Sequence, residues 1–328
     1  MSLKTGILNT AHLHSMGYAD ALLKNPRSEF LGVADENPER GKWFADKFGV
    51  PFYESYEKLA SEADAVVVAA ENVKHRELVE LAAAHGCHVA CEKPLCTTLE
   101  DGHRMIEACE KAGVQLMTCF PCRYAPSFER TLARVRNGEI GQVYAVAATN
   151  HGMMPHDSWF NVVSLSGGGS MMDHTVHVAD LLRVLLRSEV ATVYAETGNN
   201  MYHGDYEDIA MLTVEFENGV FATIDSSWSR PLCYKIWGDV TMNVVGSDGV
   251  IEMDMFAQGL MAYSMKDMRA RQQSVGGNID EPLIEEFLRA IETREPVPIS
   301  GYDGFRAAEV AIAGYESVKT GKPVKLPL

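Results

Sequence analysis

Thr5-Gly6-Ile7-Leu8-Asn9-Thr10-Ala11-His12-Leu13-His14 opens the chain with an apolar run and a tight polar loop, and a helical pattern follows at Ala19–Lys24. The next apolar run, Phe30–Ala34, ends in Asp35. Further runs recur at Ala65–Ala70, His88–Cys91 and Gln115–Cys119, with helical patterns at Pro38–Phe48, Lys74–His85 and Leu99–Ala112 between them. Regular alternation of strand and helix means right-handed βαβ units and a parallel sheet. The runs are almost continuously apolar, as strands covered on both faces must be. Residues 1–122 are therefore expected to form a doubly wound, Rossmann-like α/β domain.

From about Gln142 the texture changes. Gln142–Asn150, Thr192–Glu196, Ile209–Glu217, Val220–Ser227, Asp239–Val245 and Val250–Met255 are strand-like and closely spaced, with one helical stretch at about Asp173–Leu186. Glu217-Asn218-Gly219-Val220 is a hairpin signal, since Asn-Gly supplies the positive φ of a tight turn. Ser247-Asp248-Gly249 reads as a second turn, and two helices, Glu281–Thr293 and Tyr302–Lys319, close the chain. Residues 123–328 are expected to form an α+β domain on a large, mostly antiparallel open sheet.

Composition limits the function classes. With 29 Lys plus Arg against 45 Asp plus Glu in 328 residues, the net charge of −16 argues against nucleic acid and against anionic membrane surfaces. No stretch approaches the roughly 18–20 apolar residues of a membrane span, and the first residues do not read as a signal peptide. Seven Cys without regular spacing suggest thiols in a reducing compartment, so the cytoplasm is the expected location.

The first strand–loop–helix is where a dinucleotide fold places its pyrophosphate. Asn9, Ala11 and His14 occupy the three glycine positions of the usual loop. Asn tolerates the left-handed conformation better than other non-glycine residues, Ala adds one methyl, and His14 is the largest departure. His12 and His14 can offset it by donating to phosphate. Asp35, at the end of the second strand, suits a ribose diol and repels a 2′-phosphate, favouring NAD over NADP; its bland alternative is to cap the following helix. Glu92-Lys93-Pro94 lies at the ligand edge of the sheet, where Lys93 can hold a substrate hydroxyl. Gly167-Gly168-Gly169 precedes a helix carrying Asp173, His177 and Asp180, and the i, i+4 spacing puts Asp173 and His177 on one face. A His whose tautomer is fixed by a carboxylate is a standard general base.

These motifs, with the stretch from Val297 to Val324, resemble the glucose–fructose oxidoreductase/inositol dehydrogenase (Gfo/Idh/MocA) family across essentially the whole chain. The resemblance implies an NAD(P)-dependent dehydrogenase acting on a polyhydroxylated small molecule (a sugar, polyol or cyclitol), with its site in a cleft between the domains. Lys93, Asp173 and His177 map onto the family's catalytic residues. Asn9, Thr10, Ala11, His12, Leu13, Asp35, Asn72, His75, Glu92 and Lys93 map to the cofactor side. Arg123, His156 and Trp159 join Asp173 and His177 on the substrate side, in a region that also holds Asp157. Homodimers or homotetramers built through the open sheet are implied as well. The family's D-x-G-x-H glycine is Thr175 here.

No metal is assigned. The rival reading uses His12-x-His14 and Asp173-His174-x-x-His177 as ligands of a catalytic zinc in a hydrolase or lyase. Asp35 and Lys93, which a pure metalloenzyme would not need, weigh against it. A third alternative is a ligand-binding member without catalysis. Cys119-Phe120-Pro121-Cys122 follows a strand instead of opening a helix, so it reads as incidental thiols.

Overall fold

The computed structural model describes residues 2–156, 158–257, 259–266, 268–274 and 277–328; Asp157 lies outside them. The chain divides into two compact units. The first runs to Pro121 and also takes in Val162–Gly167 and Asp280–Ala308; the second comprises Cys122–Asn161, Gly168–Ile279 and Glu309–Leu328.

In the first unit, β1 (Leu3–Leu8), α1 (Ser15–Lys24), β2 (Ser28–Ala34), α2 (Pro38–Phe48), β3 (Phe52–Tyr53), α3 (Tyr56–Glu62), β4 (Ala65–Val68), α4 (His75–Ala84), β5 (His88–Glu92), α5 (Leu99–Ala112) and β6 (Leu116–Cys119) alternate along the chain. Every strand pair is parallel and the order is β3-β2-β1-β4-β5-β6. The order reverses between β1 and β4, which is where such sheets bind ligands. Each residue of β4, Ala65-Val66-Val67-Val68, is buried, as a strand covered on both faces requires. Helix α2 starts where Asn37 accepts from the Glu39 and Arg40 backbone N–H groups, with Pro38 at its first position, and stops at Gly49 in the left-handed conformation. Asn37, and not Asp35, is therefore its cap.

The second unit is built from α6 (Pro126–Arg136), β7 (Val143–Gly152), α8 (Ser170–Leu186) and the strands β8 (Val190–Gly198), β9 (Ile209–Phe216), β10 (Phe221–Asp225), β11 (Gly238–Gly246) and β12 (Val250–Asp254), the short α7 (Val163–Ser166) belonging to the first unit. They form a mixed sheet in the order β12-β11-β7-β10-β9-β8, extended by Val324–Lys325 beside β8. Only β7 and β10 pair in parallel within it; the other described pairs are antiparallel. Both anticipated hairpins form, with Gly219 at φ 84 between β9 and β10 and the 247–249 turn between β11 and β12. Alternating burial along β9 leaves Met211, Thr213 and Glu215 on the outer face. Several features escaped the sequence reading, among them the antiparallel hairpin Gly259–Ser264/Arg269–Ser274 and the short helix Val163–Ser166. Helix α6 follows a short turn at Pro121–Tyr124 where only a loop was expected, and β3 and α3 fill what looked like a connection.

Candidate active site

The loop after β1 solves the missing-glycine problem with side chains. Asn9 adopts φ 68, the left-handed conformation a first glycine would supply. Its Oδ1 accepts from the Ala11 N–H at 2.8 Å, which tightens the turn. Leu13 is exposed, while His12 and His14 turn inward. The His14 Nδ1 lies 2.9 Å from Glu92 Oε1, and the Tyr18 hydroxyl donates to the same oxygen. On the other side, the Lys93 backbone N–H donates to Glu92 Oε2 at 2.8 Å and His12 Nε2 stands 3.7 Å away. Burial alone would raise the Glu92 carboxyl, but the His12 and His14 imidazoles and the Lys93 ammonium hold it well below the usual carboxylate range. For His14, the pull of Glu92 outweighs burial and raises the imidazole above its ordinary value. Tyr18, four residues after His14 and on its helix face, was missed in the sequence; that spacing was the available signal.

His12, His14 and Glu92 bring one ligand-type atom each within 4.8 Å of one another. Of the two imidazoles, His14 is within hydrogen-bond distance of Glu92 and His12 Nε2 stands outside it. The His14 N–H donates to His12 Nδ1 at 3.2 Å, so Nδ1 is the acceptor nitrogen and the proton sits on Nε2, facing Glu92. A metal would need a lone pair at that Nε2. The Tyr18 hydroxyl and the Lys93 N–H donate to the buried Glu92 carboxylate, and His14 Nδ1 lies 2.9 Å from it.

The cofactor-side residues fall into three groups. Asp35 is buried and accepts from the Thr10 N–H (2.9 Å), the Thr10 hydroxyl, the Asn37 N–H and Arg40. His75 is a buried staple: its Nδ1 lies 3.0 Å from the Pro94 carbonyl and its Nε2 3.3 Å from that of Ala70, and burial lowers its pKa. It ties the end of β4 to the Lys93–Pro94 turn, whose peptide is cis. Asn72 donates to the Ser166 carbonyl at 2.8 Å, yet its buried Oδ1 has no hydrogen-bond partner among the described residues. An acceptor left open beside the β1–β4 switch suits a ribose hydroxyl or an amide N–H, so the residues present fit a dinucleotide.

In the second unit, α8 is buried along nearly its whole length, and its polar residues are therefore held inside. Its first turn is satisfied from outside: Glu207 Oε1 accepts from the Gly169 and Met171 N–H groups at 2.9 and 3.0 Å and from the Tyr315 hydroxyl at 2.7 Å. Asp173 Oδ2 receives Trp228 Nε1 at 3.3 Å and faces His174 Nε2 at 3.2 Å. His174 is braced by the Asn150 carbonyl, 2.8 Å from its Nδ1. The Trp228 contact is one the sequence did not show, because an aromatic in a sheet domain reads as core. Thr175, at the family's glycine position, is buried with its hydroxyl 2.9 Å from that of Ser226.

Arg123 grips Asp180 with two bonds, Nε to Oδ2 at 2.7 Å and Nη2 to Oδ1 at 2.5 Å. Trp159 stacks on Phe160 at 4.0 Å, and His156 is exposed with its ring edge-on to Tyr202. Burial pushes the Cys119 thiol well up, away from reactive thiolate character.

A parallel, Rossmann-like unit followed by a second unit on a mixed sheet, with Asp173, His174 and His177 on its buried helix, is the architecture of a nicotinamide-dependent oxidoreductase class, and the family comparison agrees. Residues 6–120 match the oxidoreductase family with an NAD-binding Rossmann fold, and residues 128–252 match the GFO/IDH/MocA C-terminal domain. The chain belongs to the GFO/IDH/MocA family of sugar and polyol dehydrogenases. It is 27% identical to myo-inositol 2-dehydrogenase of Thermotoga maritima, over 98% of this chain and 96% of that one. It is 28% identical to D-xylose 1-dehydrogenase (NADP(+)) 2 of Haloferax volcanii, over 98% and 99%. The crystal structure of GenD2 from gentamicin A biosynthesis, in complex with NAD, has the same fold, with a TM-score of 0.91, 23% identity and 100% and 97% coverage.

Proposed function

We propose that this chain oxidises or reduces a single hydroxyl/carbonyl position of a sugar, polyol or cyclitol, with Lys93, Asp173 and His177 as its catalytic residues. The observation that carries the reading is that all three ionisable side chains are kept inside the protein, at 4, 8 and 5% exposure. Burying such groups is costly, and a chain keeps them buried where their charge is used. When bound, the nicotinamide supplies the hydride acceptor or donor.

His177 accepts the hydroxyl proton, as a general base working near neutral pH. Asp173, one helical turn earlier, orients it; Trp228 and His174 in turn fix the Asp173 carboxylate. Lys93 polarises the substrate oxygen, and its backbone is pinned by Glu92. Arg123, His156 and Trp159 are proposed to contact substrate, with Arg123 doing so from a guanidinium already fixed by Asp180. The protein is proposed to assemble as a dimer or tetramer through the outer face of the mixed sheet, where Met211 and Phe221 are exposed. Among the described residues no helix is long and apolar enough to cross a membrane.

The test is a panel of sugars, polyols and cyclitols screened with NAD⁺ and NADP⁺ for reduced-nicotinamide absorbance. Turnover of at least one that disappears in His177→Ala supports the reading. Binding of dinucleotide with no turnover across the panel would favour a ligand-binding role.

A further inference from the structure

The end of β2 is organised around Asp35, and the geometry there differs from what a ribose-binding carboxylate needs. Oδ2 accepts from the Thr10 N–H at 2.9 Å, the Thr10 hydroxyl at 2.5 Å and Arg40 Nε at 2.8 Å. Oδ1 accepts from the Asn37 N–H and Arg40 Nη2, both at 2.8 Å. A carboxylate offers about four lone-pair sites, so these donors use all of them. The side chain of Asp35 is itself fully buried, while that of Arg40 is 28% exposed. What meets solvent at the end of β2 is thus a guanidinium lying across the carboxylate.

Arg40 is also held in place from the loop side, where its Nη2 donates to Asn9 Oδ1 at 3.1 Å. Its remaining nitrogen, Nη1, is only loosely paired, 3.7 Å from Glu71 Oε1. A second cation, Lys74, stands beside it, 3.2 Å from Glu71 Oε2 and paired with the exposed Glu36. Asp35, Glu36 and Glu71 against Arg40 and Lys74 leave one negative charge in excess. Such a site has no strong preference for a phosphate, but it lacks the bare carboxylate that would repel one.

We infer that Arg40 masks Asp35, so that the site admits the adenosine 2′-phosphate and the chain binds NADPH as well as NADH. With Nε and Nη2 held by Asp35 and Asn9, the Nη1 end of the guanidinium is left to donate to the phosphate without unmasking the carboxylate. The inference rests on the dinucleotide reading above and adds to it the residue that sets cofactor choice. Burial tends to raise the Asp35 carboxyl, yet the Arg40, Thr10 and Asn37 bonds lower it on balance; it is charged, and its charge is spoken for.

The experiment is a fluorescence titration of the full chain and of Arg40→Ala and Arg40→Lys with NADH and with NADPH. The readout is the ratio of the two dissociation constants, in which any misfolded fraction cancels. For the unmodified chain the NADPH-to-NADH ratio is expected to lie below about 30. Arg40→Ala bares Asp35 and should raise it by at least about tenfold, with Arg40→Lys between the two because charge remains without the paired geometry. A ratio above about 30 in the unmodified chain, or one that Arg40→Ala moves less than about threefold, would overturn the inference and return the ribose diol to Asp35. If neither dinucleotide binds, the dehydrogenase reading falls as well, and the missing NADH signal tells that outcome from the others.

Discussion

Two backbone turns, the loop at residues 9–14 and the glycine run at 167–169, place different demands on glycine positions and meet them in opposite ways. In the first, all three glycine positions carry side chains: Asn9 takes the left-handed φ of 68, and His14 swings its ring onto Glu92. In the second, the glycines stay, for a reason unrelated to φ at two of them. A Cβ on Gly168 would lie 1.9 Å from the Tyr315 hydroxyl, and one on Gly169 would lie 2.1 Å from the Glu207 carbonyl. Where glycine is needed for conformation, an Asn can replace it. Where it is needed for space against a fixed backbone, nothing can.

The proposed chemistry draws on both regions, since the first leads through Glu92 to Lys93 and the second leads into the helix of Asp173 and His177. Lys93→Ala or His177→Ala should therefore each lower turnover by about 10²–10⁴-fold, the usual scale for losing an acid–base group, with the protein still folded. Steady-state rates with a matched substrate, beside a circular dichroism melt, make the check. A rate like that of the unmodified enzyme in either variant would sink the proton-transfer assignment for that residue.

Gly169→Ala probes the spatial half of the comparison. The added methyl meets a backbone carbonyl that cannot move aside without disturbing the Glu207 bonds to the start of α8. The expected loss is about 2–4 kcal/mol, read as a lower midpoint in urea unfolding. A change under about 0.5 kcal/mol would show that Glu207 yields easily and that the glycine run is not there for room.

Much of this architecture was legible in the chain. The apolar runs marked the parallel sheet because both faces are covered, and Asn-Gly marked the β9–β10 hairpin because only such residues accept its φ. Asn9 could be read for the same reason. What escaped were features fixed by tertiary partners. Arg40 lies five residues after Asp35, a spacing no single helix explains, because Asp35 precedes the helix. Trp228 looked like core until its indole nitrogen met Asp173. Helix α6 begins with Pro126 after a short turn, and the prolines at 121 and 126 suggested a loop.

Both units also set imidazoles against carboxylates, His14 on Glu92 in the first and His151 and His174 in the second, which allows a finer comparison. His151 on β7 has Asp225 2.9 Å from Nε2 and Asp239 3.0 Å from Nδ1, with Arg230 paired to Asp239. Burial works against its charge, but the bonds to Asp225 and Asp239 win and lift its pKa to about 9. A pKa raised in the fold means stability that is complete below the unfolded value near 6.5 and is lost as pH climbs towards 9. Asp225 is partly exposed, so screening trims the effect to about 1–2 kcal/mol, a few degrees in Tm. His151→Gln should flatten the melting temperature between pH 6.5 and 9 relative to the unmodified chain. An identical slope in both would assign the loss to other groups, His14 among them.

The smallest effect is the most direct test of the opening contrast. If Asn9 is present only as a residue that tolerates positive φ, Asn9→Gly should change stability by less than about 0.5 kcal/mol, since glycine adopts that conformation freely. Asn9→Ala keeps the backbone demand without the amide and should cost about 1–2 kcal/mol. The Asn9 side chain also accepts from Ala11 N–H and Arg40 and donates to the Tyr56 hydroxyl at 3.1 Å. Should Asn9→Gly destabilise as much as Asn9→Ala, those bonds, and not the φ of 68, are what the loop depends on. The side chains would then be a scaffold in their own right, and the loop would not be a glycine turn carried by a tolerant substitute.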